Sequence, residues 1–381
     1  MIQNWNYIRF GDLFDYENKS KIKAGDGLAS GSYPFYTSSV ELTKFIDQFQ
    51  FDKTSLIFGT GGNASIHYCD NPFSVSTDCL VAIAKDETKV YPKYVFYYLF
   101  GNINLLEEGF KGAGLKHISK GYINEIQIPL PPLATQKRIA EILDAADALR
   151  RKDHELLKKY DELAQAIFID MFGNPVKNER GWDMKSLEDL IISKPDNGFF
   201  AKSDKYTEAG TEIVWINDFI DQTYVKQSGL RRVQIKPTDI KYKIKYGDVL
   251  FCRSSLTLEG IGKCSIVPKL ANEMTIFECH IIRLKVDINR LIPEYFRYLS
   301  DTDYFRGKIM KNAKTSTMTT ISQDGISKIE IPIPNFKLQN KFRTLIEFHF
   351  DKRKKFEESY LASEALFSSL IQKAFNGELV A

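Results

Sequence analysis

Two short stretches of this 381-residue chain hold the residue types best suited to gripping an anion: Lys111-Gly112-Ala113-Gly114-Leu115-Lys116-His117 and Lys311-Asn312-Ala313-Lys314-Thr315-Ser316-Thr317. Glycine leaves backbone amides open, and lysine and hydroxyl side chains add further donors, which is the set that phosphate oxygens require. The candidate contacts are Lys111, Lys116 and His117 in the first stretch and Lys311, Lys314, Thr315 and Thr317 in the second. Arg253-Ser254-Ser255 and Gly262-Lys263 offer another such surface, and an arginine can donate two parallel hydrogen bonds to guanine. The competing reading for each is a solvated loop. Arg150-Arg151-Lys152 returns as Arg353-Lys354-Lys355. Such a run is ordinarily a solvated helix face, but its return points to a shared contact, with a partner subunit or with DNA along the helix.

Catalytic signatures are missing from the sequence. Gly59-Thr60-Gly61-Gly62-Asn63 has the glycines of a nucleotide loop without the lysine that should follow. Gly112-Ala113-Gly114 lacks a third glycine ahead of a helix, which argues against a dinucleotide site. Asp70-Asn71-Pro72-Phe73 has only a faint likeness to the Asn-Pro-Pro-aromatic motif of amino-methyltransferases and is read as a turn. The acid-x-lysine pattern in Pro237-Thr238-Asp239-Ile240-Lys241 is read as chance in a lysine-rich chain. Five histidines form no metal pair, and five cysteines, never in C-x-x-C spacing, suggest neither zinc nor a disulfide framework. His349 falls on an apolar helical seam and is expected to set register there. With no signal-like start and no long apolar run, a cytoplasmic protein without membrane contact is expected.

These loops hang on a repeated frame. Residues 118–174 return without insertion as residues 321–377, at a constant offset of 203. Gln136 returns as Gln339, Arg150 as Arg353 and Phe172 as Phe375. In each copy a strand-like Ile-x-Ile-Pro-x-Pro leads into a long helical pattern, with apolar positions in the first at 142, 146, 149, 156, 160, 163, 167 and 171. Pro131-Pro132 marks its start and Gly173-Asn174-Pro175 its stop. Four segments follow: a head at 1–128, a helix at 129–175, a second head at 176–331 and a second helix at 332–381. The heads echo each other only loosely, as in Pro92-Lys93-Tyr94-Val95 and Pro293-Glu294-Tyr295-Phe296.

The expected fold class is α+β: two globular mixed α/β heads separated by two long antiparallel coiled-coil helices, related as a pseudo-two-fold internal repeat. A helix from Leu133 to Phe172 would span about 60 Å. So long and thin a helix must bury its seam, most simply against its own repeat. Antiparallel pairing would carry the heads to opposite ends of a span worth about 17 base pairs of DNA end to end, so that they touch patches about one helical turn apart. A coiled-coil spacer with no nucleic acid explains the same pattern. Charge does not decide, since residues 1–128 carry a net of −2 and residues 176–331 a net of +4.

The stretch from Ile126 through Ile128-Pro129-Leu130-Pro131-Pro132-Leu133-Ala134-Thr135-Gln136 to Met171-Phe172-Gly173-Asn174-Pro175 resembles the central conserved region of type I restriction–modification specificity subunits. Ala374-Phe375-Asn376-Gly377-Glu378-Leu379 resembles the distal conserved region of that family. In the second copy Asn335 replaces Pro132 and Phe336 replaces Leu133. The resemblance implies a non-catalytic reader of double-stranded DNA, in which each target-recognition domain reads one half of a bipartite sequence. It implies two modification (methyltransferase) subunits docked on the helices and restriction (translocase–nuclease) subunits beyond them. No cofactor is expected on this chain, with S-adenosylmethionine, ATP and Mg2+ expected on the partners. Gln136, Arg150, Arg151, Phe172, Gln339, Arg353, Lys354 and Phe375 are the candidate docking and spacer residues. A coiled-coil scaffold for proteins and a stand-alone adenine methyltransferase are the alternatives.

Overall fold

A computed structural model describes residues 5–112, 114, 116–270, 272–315 and 318–379. The chain forms two compact units, Met1–Leu156 with Phe356–Ala381, and Leu157–Lys355. Each unit contains one head and half of each long helix, Leu133–Phe172 and Phe336–Phe375. The units thus cut across the four segments of the sequence. A lone helix has no core of its own, so each half is built into the head that covers it.

The heads share one topology. In unit 1 a four-stranded sheet runs in the order Phe14–Tyr16, Cys79–Ala84, Ser55–Gly59, Ser65–Cys69. In unit 2 the order is Asp196–Asn197, Ile281–Leu284, Val249–Cys252, Cys264–Ile266. A three-stranded sheet accompanies each, centred on Tyr33–Tyr36 or Tyr206–Val214, with one antiparallel and one parallel neighbour. A two-stranded ribbon closes each head where its long helix begins: Asn6–Arg9 pairs with Gln127–Leu130, and Asp183–Ser186 with Glu330–Ile333. The ribbon buries Ile128 with Pro129 and Ile331 with Pro332, while Gln127 and Glu330 ahead of them are exposed.

One buried glutamine ties each long helix to its head. Gln136 Oε1 accepts the Tyr91 amide at 2.8 Å, and its Nε2 donates to Lys89 O at 2.9 Å and Pro131 O at 2.8 Å. Gln339 repeats this with the Ile292 amide at 2.9 Å and Pro334 O at 2.8 Å. Tyr91 and Ile292 cap the helices Pro92–Gly101 and Pro293–Ser300. From those helices Tyr94 and Tyr295 donate their hydroxyls to Pro129 O (2.7 Å) and Pro332 O (2.6 Å).

Within each unit the helix halves run antiparallel, as expected. In unit 1 Arg150 meets Glu364 at 3.1 Å and Ser359 meets Asp153 at 3.3 Å. In unit 2 Arg353 meets Asp161 at 2.6 Å and Phe168 meets Phe342 with ring centroids 5.6 Å apart. His349 is buried with Nε2 2.8 Å from Tyr160 O, the polar seam position that its sequence context suggests. The seam itself is turned by about one residue from expectation. Leu143, Leu157, Ala164, Phe168 and Phe172 are buried, whereas Leu149 and Leu163 are each 46% exposed. The helix buries a face shared between its antiparallel partner and the head's aromatic helix. Tyr97 therefore bonds Asp144 at 2.7 Å, and Phe172 packs on Tyr295 at 4.7 Å.

The central strands differ in chemistry. Unit 2 buries Arg283, which pairs through two nitrogens with Asp196 and lies 3.8 Å from Asp248. By strand register its counterpart in unit 1 is Val81, and that of Asp248 is Ser55.

Candidate nucleic-acid interface

In unit 1 the strand Ser55–Gly59 runs out into Thr60-Gly61-Gly62, and Gly62 has φ +82°, a left-handed conformation that only glycine adopts without strain. Thr60 is pinned through its amide and hydroxyl to Asp78 O at 2.8 and 2.9 Å. The loop at 111–117 closes onto this turn. Ile118 N donates to Thr60 O at 3.2 Å, Gly62 N to Lys116 O at 3.4 Å, and Lys111 and His117 exchange backbone bonds of 3.0 and 3.1 Å. Gly61, His117 and Lys111 therefore form three adjacent extended chains. His117 Nδ1 lies 3.1 Å from Thr60 O, a carbonyl that can only accept, so Nδ1 is the donor of this bond. Lys111, Lys116 and His117 are exposed on this edge.

Unit 2 builds the same edge as a small sheet, ordered Ser254–Ser255, Thr319–Thr320, Lys314–Thr315. Ile321 N donates to Arg253 O at 3.0 Å, as Ile118 N does to Thr60 O, so Arg253 stands where Thr60 stands. The Arg253 amide bonds His280 O at 2.9 Å and its Nη1 bonds Cys279 O at 3.2 Å, anchoring the guanidinium. Residues 60 positions apart in sequence, Arg253, Ser254 and Ser255 with Lys314 and Thr315, thus share one surface. Lys314 and Thr315 are exposed, Ser255 is half-buried and Ser254 is buried.

The structure places Lys311 and Lys263 away from the role expected of them. Lys111 bridges His117 as Lys314 bridges Thr320, so the 203-residue offset extends back to Lys111 and its equivalent is Lys314, not Lys311. Lys311 instead ends the helix Asp303–Asn312, which outruns its unit 1 counterpart Asn104–Glu107. Lys263 is engaged by Asp221 in an ion pair. Thr317 lies outside the described residues. Sequence reading overlooked Thr60-Gly61-Gly62, set aside as a failed nucleotide loop, and Thr319 and Thr320. Carrying the constant offset upstream of residue 118 would have found Thr320.

Among the docking candidates, Gln136 and Gln339 are fully buried and satisfied inside their units, and so offer nothing to a partner. Phe172 is buried against Tyr295, and Phe375 is half-buried against Tyr94 with centroids 5.5 Å apart. These four are internal because the repeat preserves packing as well as surface. Arg150 is spent between Asp147 and Glu364, at 2.7 and 3.1 Å, with its guanidinium over the Phe367 ring. Arg353 holds Asp161. Arg151, 72% exposed while touching Asp147, and the exposed Lys354 are the cations left facing outward. Glu278, Cys279 and His280 form one group of potential metal-ligand atoms among the described residues, a grouping not expected from sequence. Glu278 already accepts the His280 amide at 2.8 Å, and burial raises its carboxyl pKa.

Two copies of one cationic edge on a duplicated scaffold, each with a pair of helix halves, define a two-headed α+β protein. The chain belongs to the type I restriction modification DNA specificity domain family, whose model matches residues 2–159 and 179–352. It is 26% identical over 333 residues to the type I restriction enzyme EcoKI specificity subunit of Escherichia coli K12, covering 81% of this chain and 70% of that one. It is 22% identical over 400 residues to the MjaVIII specificity subunit of Methanocaldococcus jannaschii, covering 97% and 92%. Its fold is similar to the crystal structure of the type I restriction–modification S subunit from M. genitalium, with a TM-score of 0.63, 16% identity and coverage of 97% and 96%. Among the described residues no helix is long and apolar enough to cross a membrane.

Proposed function

We propose that this chain selects DNA for a type I restriction–modification complex in the cytoplasm, each head reading one half of a bipartite site and the paired helices setting the interval between halves. One observation carries the reading. The two edges keep the same backbone register while their side chains differ, Thr60-Gly61-Gly62 and His117 against Arg253-Ser254-Ser255 and Thr320. A shared frame with changed donors is what two readers of different sequences require, since backbone contacts position and side chains specify.

Catalysis in this reading belongs to the partners. Two methyltransferase subunits, carrying S-adenosylmethionine and acting on adenine, would dock on the helices, where Arg151 and Lys354 face outward. Restriction subunits would bring ATP and Mg2+. A protein-binding scaffold would not need cationic side chains at the matching edge of both heads.

The test is binding to duplexes carrying the bipartite sequence methylated in a host with this system, with the methyltransferase partner present and salt varied. Each wrong base pair in either half is expected to cost about 1–3 kcal/mol, and affinity is expected to fall steeply with salt. Equal affinity for every sequence would sink the reading.

A further inference from the structure

Both heads carry the pattern Ser-Ser-aliphatic-x-Leu: Ser38-Ser39-Val40-Glu41-Leu42 in unit 1 and Ser254-Ser255-Leu256-Thr257-Leu258 in unit 2. The segments are not equivalent in the fold. The first follows the strand Tyr33–Tyr36, whereas the second follows Val249–Cys252. Yet they make the same turn in the same surroundings. Ser39 Oγ accepts the Glu41 amide at 3.3 Å, and Ser255 Oγ accepts the Thr257 amide at 3.1 Å. Each turn adjoins the cationic edge of its own unit. Gly61 N donates to Ser38 Oγ at 3.4 Å, and Ser254 pairs with Thr320.

The turns hold aliphatic side chains out in solvent, with Val40 60% and Leu42 38% exposed and Leu256 85% and Leu258 53% exposed. Neither turn is slack. Ser39 O lies 2.9 Å from His67 Nε2, and Arg306 holds Ile261 O at 2.7 Å and Glu259 O at 3.0 Å. A pinned loop that keeps leucine in water gains nothing for the fold. Single exposed leucines are ordinary on a protein surface, but recurrence beside both cationic edges from unrelated loops is a different observation.

We propose that Val40 and Leu256 are wedges that enter the base stack of the DNA bound at each edge, one in each half-site. This rests on the DNA-reading function above. Two aliphatic tips offer far less area than a protein partner needs, roughly 1,000 Å² in total. They match a single base step, which leucine and similar side chains open in the minor groove. Lys111 and Lys116, on the loop that pairs with Gly61 where Ser38 also bonds, and Arg253 and Lys314, on the sheet that carries Ser254 and Ser255, would hold the flanking phosphates.

The experiment uses the full chain with its methyltransferase partner, on a bipartite duplex carrying a fluorescent adenine analogue at successive positions. The wild type is expected to brighten the analogue at one unstacked step in each half. Leu256→Ala removes the signal in one half only and weakens binding roughly tenfold. It leaves the salt slope unchanged because no cation is lost. Val40→Ala does the same in the other half, and Leu256→Met keeps the signal. Thermal midpoints stay at the wild-type value, since both side chains are exposed. Undiminished fluorescence and affinity in Leu256→Ala, with wild-type discrimination intact, would overturn the wedge alone. A wild type that cannot tell the bipartite duplex from a scrambled one would overturn the DNA-reading function and the wedge with it.

Discussion

Unit 1 and unit 2 wind the same sheets around opposite chemistry. At one matched position in the central strands unit 1 places Val81, 3% exposed, and unit 2 places Arg283, 1% exposed. Arg283 is tolerated because its guanidinium is bound by Asp196 and by the carbonyls of Lys241 and Lys243. Strand order and the closing ribbons are common to both units, so the topology does not depend on an apolar residue at that position. What must hold is that any buried charge is fully paired.

Truncation tests this most severely. Arg283→Ala would take the guanidinium from buried Asp248 and from the Lys241 and Lys243 carbonyls and is expected to cost about 3–5 kcal/mol. Val81→Ala should cost about 2 kcal/mol. Urea unfolding of the full chain, with hydrogen exchange followed on peptides from each unit, separates the two. Equal costs would mean that the ionic cluster is ornamental.

The pH response should divide the units next. Burial pushes the Asp248 carboxyl up to about 6 from 3.8, against the opposing pull of the Lys245 amide and Arg283. The folded form therefore holds this proton more tightly than the unfolded chain does. The contribution to stability is fully present below pH 3.8 and is lost as pH rises through about 6. Its size is about 2–3 kcal/mol. Unit 2 should gain stability from this group on acidification across that window, and Asp248→Asn should flatten the gain. Ser55, its counterpart in unit 1, has no carboxyl to titrate. Exchange protection of unit 2 that is indifferent to pH in wild type would refute the assignment.

The connectors offer a finer contrast. Gln136 makes three hydrogen bonds and Gln339 two, so Gln136→Ala should cost about 3 kcal/mol and Gln339→Ala about 2 kcal/mol. Denaturant midpoints check the order, and a reversal would show that the units do not depend on the clamp alike. At the edges, Lys314→Ala should weaken one half-site and lower the salt slope by about 0.9. Lys263→Ala, already answered by Asp221, should change binding least. A larger loss from Lys263→Ala in salt titrations would mean that the ion pair opens on DNA.

The connectors were the legible part of the sequence. A 203-residue offset held through Gln136 and Gln339 announces a duplicated helix, because identical spacing signals identical packing. The heads were legible only at their margins. Their strands are two to nine residues long and paired across distant segments, with no local periodicity to give the order away. The seam was misplaced by a residue because a helix serving two neighbours has two apolar rows, and spacing alone does not rank them. Lys314 and Thr315 were picked out by residue type, and both lie exposed on the small edge sheet. Thr60-Gly61-Gly62 was passed over because its lysines arrive from a loop some 50 residues away, through backbone pairing that the sequence does not display.

The buried glutamines grip nothing but main chain: an amide and carbonyls at Tyr91, Lys89 and Pro131, or at Ile292 and Pro334. A fastening of this kind is blind to side-chain identity on the far side. An inserted domain whose backbone follows the same path at its proline-capped helix meets this clamp's demand, and only the aromatic packing on the long helix, as of Phe172 on Tyr295, constrains its side chains there. Such a socket lets evolution trade whole modules at this junction without renegotiating the joint.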